Sequence, residues 1–380
     1  MLPIPFGILT VCGFWRPVSL KSPLAKTAYD LYSGLMFVLI WSFTLSHLID
    51  IAITAESFES LTGSCFMLLS MLNVCCKMTN ILYFRGDILD LLAILAADRC
   101  KARDDRELEL QEKFHSTAKF VALCYGGLTE TTCTLITLRT FFGAASRALP
   151  FKAWMPYDAG ASLAGYWLTF AHQTVAHCGA ANLQIANETL VCGLMIQACS
   201  QLELLKLRLA SLGAESDKED GDGDVASSRR LIVETFEHHR KITEFCRKLN
   251  RTFNVTLFVQ FAISSLVLCS SVYLLSKMRM GSVQFMSLSL YVSCMLYQIF
   301  LFCWYGNEVM LQSISVRNAL YQVNWPKIPI DERKMLLTFM MLVRRPIVFT
   351  SSFLVTLSID SYCRILRTSY SVFNLLQQTT

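Results

Sequence analysis

The chain has 380 residues, of which 53% are hydrophobic, 12% aromatic and 17% charged, with a mean hydropathy of +0.43. That balance is too apolar for a soluble protein of this size and describes an all-α, polytopic membrane protein. The net charge of +5 is small, so the placement of the basic residues carries more information than their sum. Fifteen cysteines are scattered through apolar stretches, where a free thiol behaves as a small hydrophobe, and none has the spacing of a zinc site.

Residues 1–28 hold Pro3, Pro5, Pro17 and Pro23 and lack a small-residue cleavage site, so the first span is expected to do the targeting. The run Cys12-Gly13-Phe14-Trp15-Arg16-Pro17 reads as a docking segment anchored by Trp15. Seven apolar spans follow: Tyr29 to Thr54, Leu61 to Phe84, Phe120 to Phe142, Ala159 to Asn182, Asn254 to Leu275, Val283 to Tyr305, and a closing segment from Pro346 to Gln377. The first four occupy residues 29–182, and the fifth and sixth residues 254–305. The closing segment and tail occupy 346–380. As one helix, Pro346 to Gln377 would reach roughly 48 Å, more than a bilayer core needs. It also carries Asp360, Arg364, Arg367 and several hydroxyl and amide groups, too many for a helix surrounded by lipid.

Loop charge sets the orientation. Twenty-five Lys and Arg fall in the leading segment and in the loops 85–113, 206–251 and 306–345, against four in the opposite set. The N-terminus is therefore expected to be cytoplasmic and the C-terminus extracellular. Sequons at Asn187, Asn250 and Asn254 then fall on or near the cytoplasmic side and read as chance matches.

Residues 183–253 read as a cytoplasmic extension of the fourth span, with Gln184, Glu188, Gln197 and Glu203 on a polar face that projects into the cytoplasm or packs on other helices. Within it, the acidic, Gly- and Ser-rich stretch 211–228 cannot bury enough surface to order itself and is expected to be disordered. Amphipathic patterns at Arg229 to Asn250, at Val309 to Val323 and at Met335 to Val343 make 306–345 a set of anchor helices in a cytoplasmic bundle suited to subunit association.

Reaction chemistry is missing from the sequence. It has no phosphate-binding loop, zinc-protease helix or nucleophile elbow, so no enzyme, cofactor or nucleic-acid partner is expected. His172 and His177 are five apart and make a poor metal pair, while His238 and His239 are adjacent in a solvated helix, and each of the four reads as a structural or surface histidine. Glu130 is either a functional acid lining a wet cavity or a hydrogen-bond acceptor for neighbouring threonines.

The C-terminal sixth carries an ordered series: Gly306-Asn307-Glu308, Ser313, Ala319-Leu320-Tyr321, Trp325, Arg344-Arg345-Pro346, and Arg364 through Ser369-Tyr370-Ser371 to Phe373. This series resembles the C-terminal signature of insect odorant receptors. The early Gly13-Phe14-Trp15 before Pro17 resembles the family's N-terminal element, with Arg16 inserted. The ending of the related gustatory receptors is absent. A G-protein-coupled receptor would have the opposite orientation, and a transporter would favour broken helices or repeats. The resemblance implies a ligand-gated, non-selective cation channel in the plasma membrane of olfactory sensory neurons. It implies a heterotetramer in which this tuning subunit joins an olfactory co-receptor and the last helix of each subunit lines one pore. It also implies a volatile odorant bound between spans two, three, four and six.

A volatile ligand calls for an apolar, aromatic site with one or two hydrogen-bonding groups. The outer halves of those spans offer Phe66, Met67 and Ser70, then Thr132 and Ile136, then Tyr166, Phe170 and Gln173, with Tyr291 and Met295 nearer mid-span. Ordinary helix packing is the alternative for each one taken singly. Around a tetramer axis, Tyr370, Phe373, Leu376 and Gln377 would lie at the outer end of the pore, the last three forming a constriction that gates by wetting. Asp360 and Arg364, one turn apart, could pair there or brace the helix.

Overall fold

The computed structural model describes residues 2–17, 19–54, 58–142, 149–158, 162–215, 223–323, 325–352 and 355–378. The first helix, α1 (Pro3–Val11), starts on a proline whose missing N–H would have had no helical partner. It ends at Gly13, which stands at φ +86°. Phe14 N–H reaches Leu9 C=O at 2.8 Å and Gly13 N–H reaches Thr10 C=O at 3.3 Å, the two bonds of a Schellman stop. Trp15 is buried against Phe6, with ring centroids 4.8 Å apart, under the Arg85 guanidinium at 5.2 Å.

The long helices follow as α2 (Pro23–Thr54), α3 (Phe58–Tyr83), α5 (Asp105–Phe142), α6 (Leu163–Glu215), α7 (Gly223–Lys277) and α8 (Val283–Tyr321). These six are long and apolar enough to cross a membrane. Between α3 and α5 lies α4 (Arg85–Ala96), in a stretch whose charges read as a loop; Ile88, Leu91 and Leu95 bury one side of it. Helix α6 is the central element, packed on α1, α2, α3, α5, α7 and α8. Its run from Leu183 to Leu209 is buried on nearly every side, polar residues such as Asn187, Gln201 and Arg208 included. The polar face expected there is itself enclosed at Glu188, which is 0% exposed and paired with Lys77 of α3.

At the basic end one expectation changes and another narrows. The acidic stretch 211–228 is helical at both margins, since α6 continues to Glu215 and α7 resumes at Gly223; residues 216–222 lie outside the described residues. Of the two readings of His238, structural or surface, burial selects the structural one: it is 1% exposed. Its Nδ1 faces Arg208 at 3.2 Å and its Nε2 faces Gln201 Oε1 at 2.9 Å. Because a guanidinium only donates, Nδ1 accepts and the ring is neutral. Arg208 also makes a two-pronged pair with Glu107 at 2.8 Å for each bond and donates to the carbonyls of Arg99 and Lys101. It thereby locks α6 to the segment that leads into α5. Helix α9 (Ile330–Val343) completes this bundle, with Phe339 edge-on to Phe236 of α7 at 5.7 Å.

The closing segment is not one 32-residue helix. Pro346 removes a donor, and the N–H groups after it are taken by side chains: Ile347 by Ser313 Oγ at 3.0 Å, Thr350 by Asn250 Oδ1 at 3.0 Å, Ser352 by Asn254 Oδ1 at 2.5 Å. A short antiparallel pair, β1 (Thr350–Ser351) with β2 (Val355–Thr356), turns the chain. Only then does α10 (Ile359–Gln378) begin. Its 20 residues reach about 30 Å, one bilayer core, and complete a seven-helix membrane protein. Helix α10 packs on α7 and α8 and buries Ser361 and Ser369, while Asp360, Arg364, Arg367 and Tyr370 stay exposed.

Candidate functional site

Four helices, α3, α5, α6 and α8, line a partly open cavity of about 100 Å³. Residues one turn apart on each helix share its wall: Met67, Met71 and Val74 on α3, Thr132, Cys133 and Ile136 on α5, His177, Ala180 and Ala181 on α6, Tyr291, Cys294 and Met295 on α8. Thioethers and small side chains dominate, a lining that yields to differently shaped apolar guests. Ser70 faces in as well, but its hydroxyl is hydrogen-bonded to the Tyr291 phenol, and Thr132 donates to Leu128 C=O at 2.9 Å.

The opposite end is built of amides. Asn73, Tyr125, Gln184 and Gln298 line it. Tyr125 donates to Gln298 Oε1 at 3.1 Å, and Gln184 Nε2 donates to the same oxygen at 2.6 Å. Behind them, Lys77 donates to Gln184 Oε1 at 2.8 Å and to Glu188. Asn73 donates to Gln260 Oε1 of α7 at 2.5 Å. Five helices, α3 and α5 through α8, are therefore tied by one buried polar network whose upper surface is the cavity floor. Two larger clefts, of about 860 and 680 Å³, open elsewhere. One lies beside Arg240, Arg247 and Arg345, the other between α2, α6 and the segment around Trp154.

Six of the residues expected at a ligand site, Met67, Ser70, Thr132, Ile136, Tyr291 and Met295, come together in the cavity wall. Phe66 stands behind it, edge-on to Tyr291 at 5.6 Å. Tyr166, Phe170 and Gln173 do not line it. Phe170 joins Phe141, Tyr166 and Trp167 in an aromatic cluster further along α6. Gln173 instead clasps the Phe151 backbone, accepting its N–H and donating to its C=O at 3.2 Å each. The wall of α6 begins one turn deeper, at His177. Glu130 is exposed on α5 and takes no part in the cavity. Tyr370 is exposed; Phe373, Leu376 and Gln377 are on the α10 backbone, with side chains outside the described residues. Between Asp360 and Arg364 no ion pair forms among the described residues; both are exposed. The amide floor went unread in the sequence, although Asn73 with Lys77 and Gln184 with Glu188 are one-turn polar pairs inside apolar spans, which is a signal in itself.

A profile of the family described as "7tm Odorant receptor" matches residues 57–370. Odorant receptor 13a of Drosophila melanogaster is 27% identical over 261 residues, 64% of this chain and 62% of that protein. Odorant receptor Or2 of Anopheles gambiae is 26% identical over 233 residues, 61% of each. The matches thus span less than two thirds of these relatives' length. Among solved structures, the insect olfactory receptor OR5 from Machilis hrabei superposes with a TM-score of 0.87 at 18% identity, covering 99% of this chain and 97% of that one. The same receptor in complex with eugenol superposes with a TM-score of 0.83 at 17% identity, again over 99% and 97%.

Proposed function

The chain belongs to the seven-transmembrane odorant receptor family, and on that premise we propose that it is the odorant-sensing subunit of a ligand-gated, non-selective cation channel. The observation that carries the reading is the cavity between α3, α5, α6 and α8, apolar on its walls and amide-bearing at one end, as a small volatile ligand requires. Its floor is continuous with the network that ties α7 and α8, and those two helices support α10. Ligand seated on that floor acts on the helices that hold the last one.

The exposed face of α10 supports a pore assignment. A helix of this length crossing a bilayer cannot turn Asp360, Arg364 and Arg367 towards lipid, so the face needs water or neighbouring subunits. A tetramer with an olfactory co-receptor supplies both, with α10 lining the axis and the bundle of α6, α7, α8 and α9 holding the subunits together. The basic end, with Arg208, Lys248 and Arg345, lies in the cytoplasm under this reading, and the assembly sits in the plasma membrane of olfactory sensory neurons.

Co-expression with an olfactory co-receptor in a cell without G-protein signalling to channels tests this. The expected result is an odorant-evoked cation current that is small or absent with either chain alone. A response that requires a G protein, or none to any volatile despite surface delivery, overturns it.

A further inference from the structure

The polarity of the cavity floor is set from one end. The Lys77 ammonium can only donate, so Gln184 must turn Oε1 towards it, at 2.8 Å. That leaves Gln184 Nε2 facing Gln298 Oε1 at 2.6 Å, which points Gln298 Nε2 at Ser264 Oγ, 3.4 Å away. Lys77 thereby orients Gln184 and Gln298. Beyond the Ser264 hydroxyl, which can accept or donate, Gln260 Nε2 faces the serine oxygen at 2.9 Å and Gln260 Oε1 receives Asn73 Nδ2 at 2.5 Å. At the end of the chain one group is left over: Asn73 Oδ1, buried in a residue 2% exposed, with no hydrogen-bond partner among the described residues. Asn73 lines the cavity.

A buried carbonyl oxygen without a donor is an unmet requirement; of the hydroxyls on the cavity wall, Ser70 and Thr132 are engaged already, and Thr129 Oγ1 on α5 makes no hydrogen bond to it among the described residues. The missing partner is a donor brought by the guest. We propose that the cavity selects small hydroxyl-bearing volatiles, alcohols and phenols, whose O–H donates to Asn73 Oδ1 while the apolar body lies against Met67, Met71, Ile136 and Met295. An ether or ketone of the same shape brings only an acceptor to an acceptor. The cavity is smaller than the roughly 150 Å³ that holds a benzene ring in an apolar core, so the guests are of about ring size, with the methionines giving way as they enter.

The inference rests on the cavity being the odorant site of a channel, and the test separates the two. In cells co-expressing this chain and an olfactory co-receptor, currents are recorded for matched pairs of graded size: phenol with anisole and toluene, 1-hexanol with methyl pentyl ether, benzyl alcohol with ethylbenzene. Hydroxyl members are expected to act at concentrations about 3- to 10-fold lower than their hydroxyl-free partners, the worth of one buried neutral hydrogen bond. Asn73→Leu should level each pair, the hydroxyl member losing its advantage over its hydroxyl-free partner. Asn73→Ser, with a shorter hydroxyl, should keep part of the preference should the leucine variant fail to reach the surface. Equal potency within the wild-type pairs, or a preference that survives Asn73→Leu, overturns the ligand class and leaves the channel reading intact. Silence to every volatile at normal surface level overturns the channel reading and this inference with it.

Discussion

Asn254 holds Ser352: its Oδ1 accepts the Ser352 backbone N–H at 2.5 Å, at a residue whose φ is +47°, in the left-handed region that serine rarely enters. One turn earlier Asn250 does the same for Thr350 at 3.0 Å. Two asparagines in glycosylation sequons are thus the clamps that turn the chain into α10. Asn254→Ala leaves an N–H at a strained position without its acceptor, an expected loss of about 1–3 kcal/mol. Surface delivery and maximal current should fall, whereas endoglycosidase treatment of the wild type should leave the mobility of this chain unchanged. A mobility shift that Asn254→Gln abolishes would contradict the clamp.

Gly306 on α8 makes the same turn possible from the other side. A Cβ placed there would meet Leu357 Cβ at 2.5 Å and Leu357 carbonyl oxygen at 2.8 Å. Since one of the two obstacles is backbone, Gly306→Ala should cost about 1–3 kcal/mol and loosen the seat of α10. Adding Leu357→Gly, which removes that Cβ but not the carbonyl oxygen, should restore little. Full recovery in the double variant, measured by thermal stability in detergent, would mean that only the side chain had been in the way.

The buried pair of Lys77 and Glu188, 0% and 1% exposed at their side chains, predicts a non-additive mutant cycle. Lys77→Met strands a carboxylate among apolar neighbours and should cost about 3–5 kcal/mol. Glu188→Leu strands the ammonium to similar effect. The double variant should recover much of the loss, because two apolar side chains need no partner. Additive losses in the double variant, read from surface expression and melting in detergent, would mean that the two do not act as a pair.

How much of this was legible in the sequence follows from what each signal measures. Apolar length located α2, α3, α5, α6, α7 and α8, because burial in lipid and burial in protein demand the same residues. It failed at Pro346 to Gln377 for the same reason. Ile347 to Leu357 is apolar enough to read as the first part of a span, and only the acceptors of Asn250, Asn254 and Ser313, from distant parts of the chain, hold it out of the helix. At the cavity, period and depth brought Ser70, Thr132 and Tyr291 together but set Gln173 one turn too high, since helical spacing gives the face of α6 and not where along it the walls part. The floor was missed because single polar residues such as Asn73, Gln184 and Gln298 look unrelated until the helices that carry them are packed.

Arg208 should prove as important to assembly as any residue in the membrane. Its guanidinium is spent on both Glu107 oxygens, two backbone carbonyls and the His238 ring, all within a buried pocket. Arg208→Lys keeps the charge but cannot reproduce the fork, and Arg208→Ala leaves Glu107 uncompensated at an expected cost of about 3–5 kcal/mol. Co-purification with the co-receptor should weaken in the order wild type, lysine, alanine. Equal recovery of all three would show the clamp to be dispensable for the bundle.

The two faces of α10 make the sharpest prediction about the ion path. Ser361 and Ser369 are 5% and 7% exposed, turned to α7 and α8, while Arg367 and Tyr370 are open, Tyr370 at 65%. In a Cys363→Ser background, which removes the exposed native thiol, cysteines at Arg367 and Tyr370 should react with a charged, water-soluble thiol reagent and change the odorant-evoked current. Cysteines at Ser361 and Ser369 should react slowly or not at all, because a thiol in a helix interface meets no water. Reaction at Tyr370 should quicken in the presence of odorant if the pore opens there. If the buried pair reacts faster than the exposed pair, α10 presents its other face to the ions, and the assignment of its polar stripe to the axis is wrong.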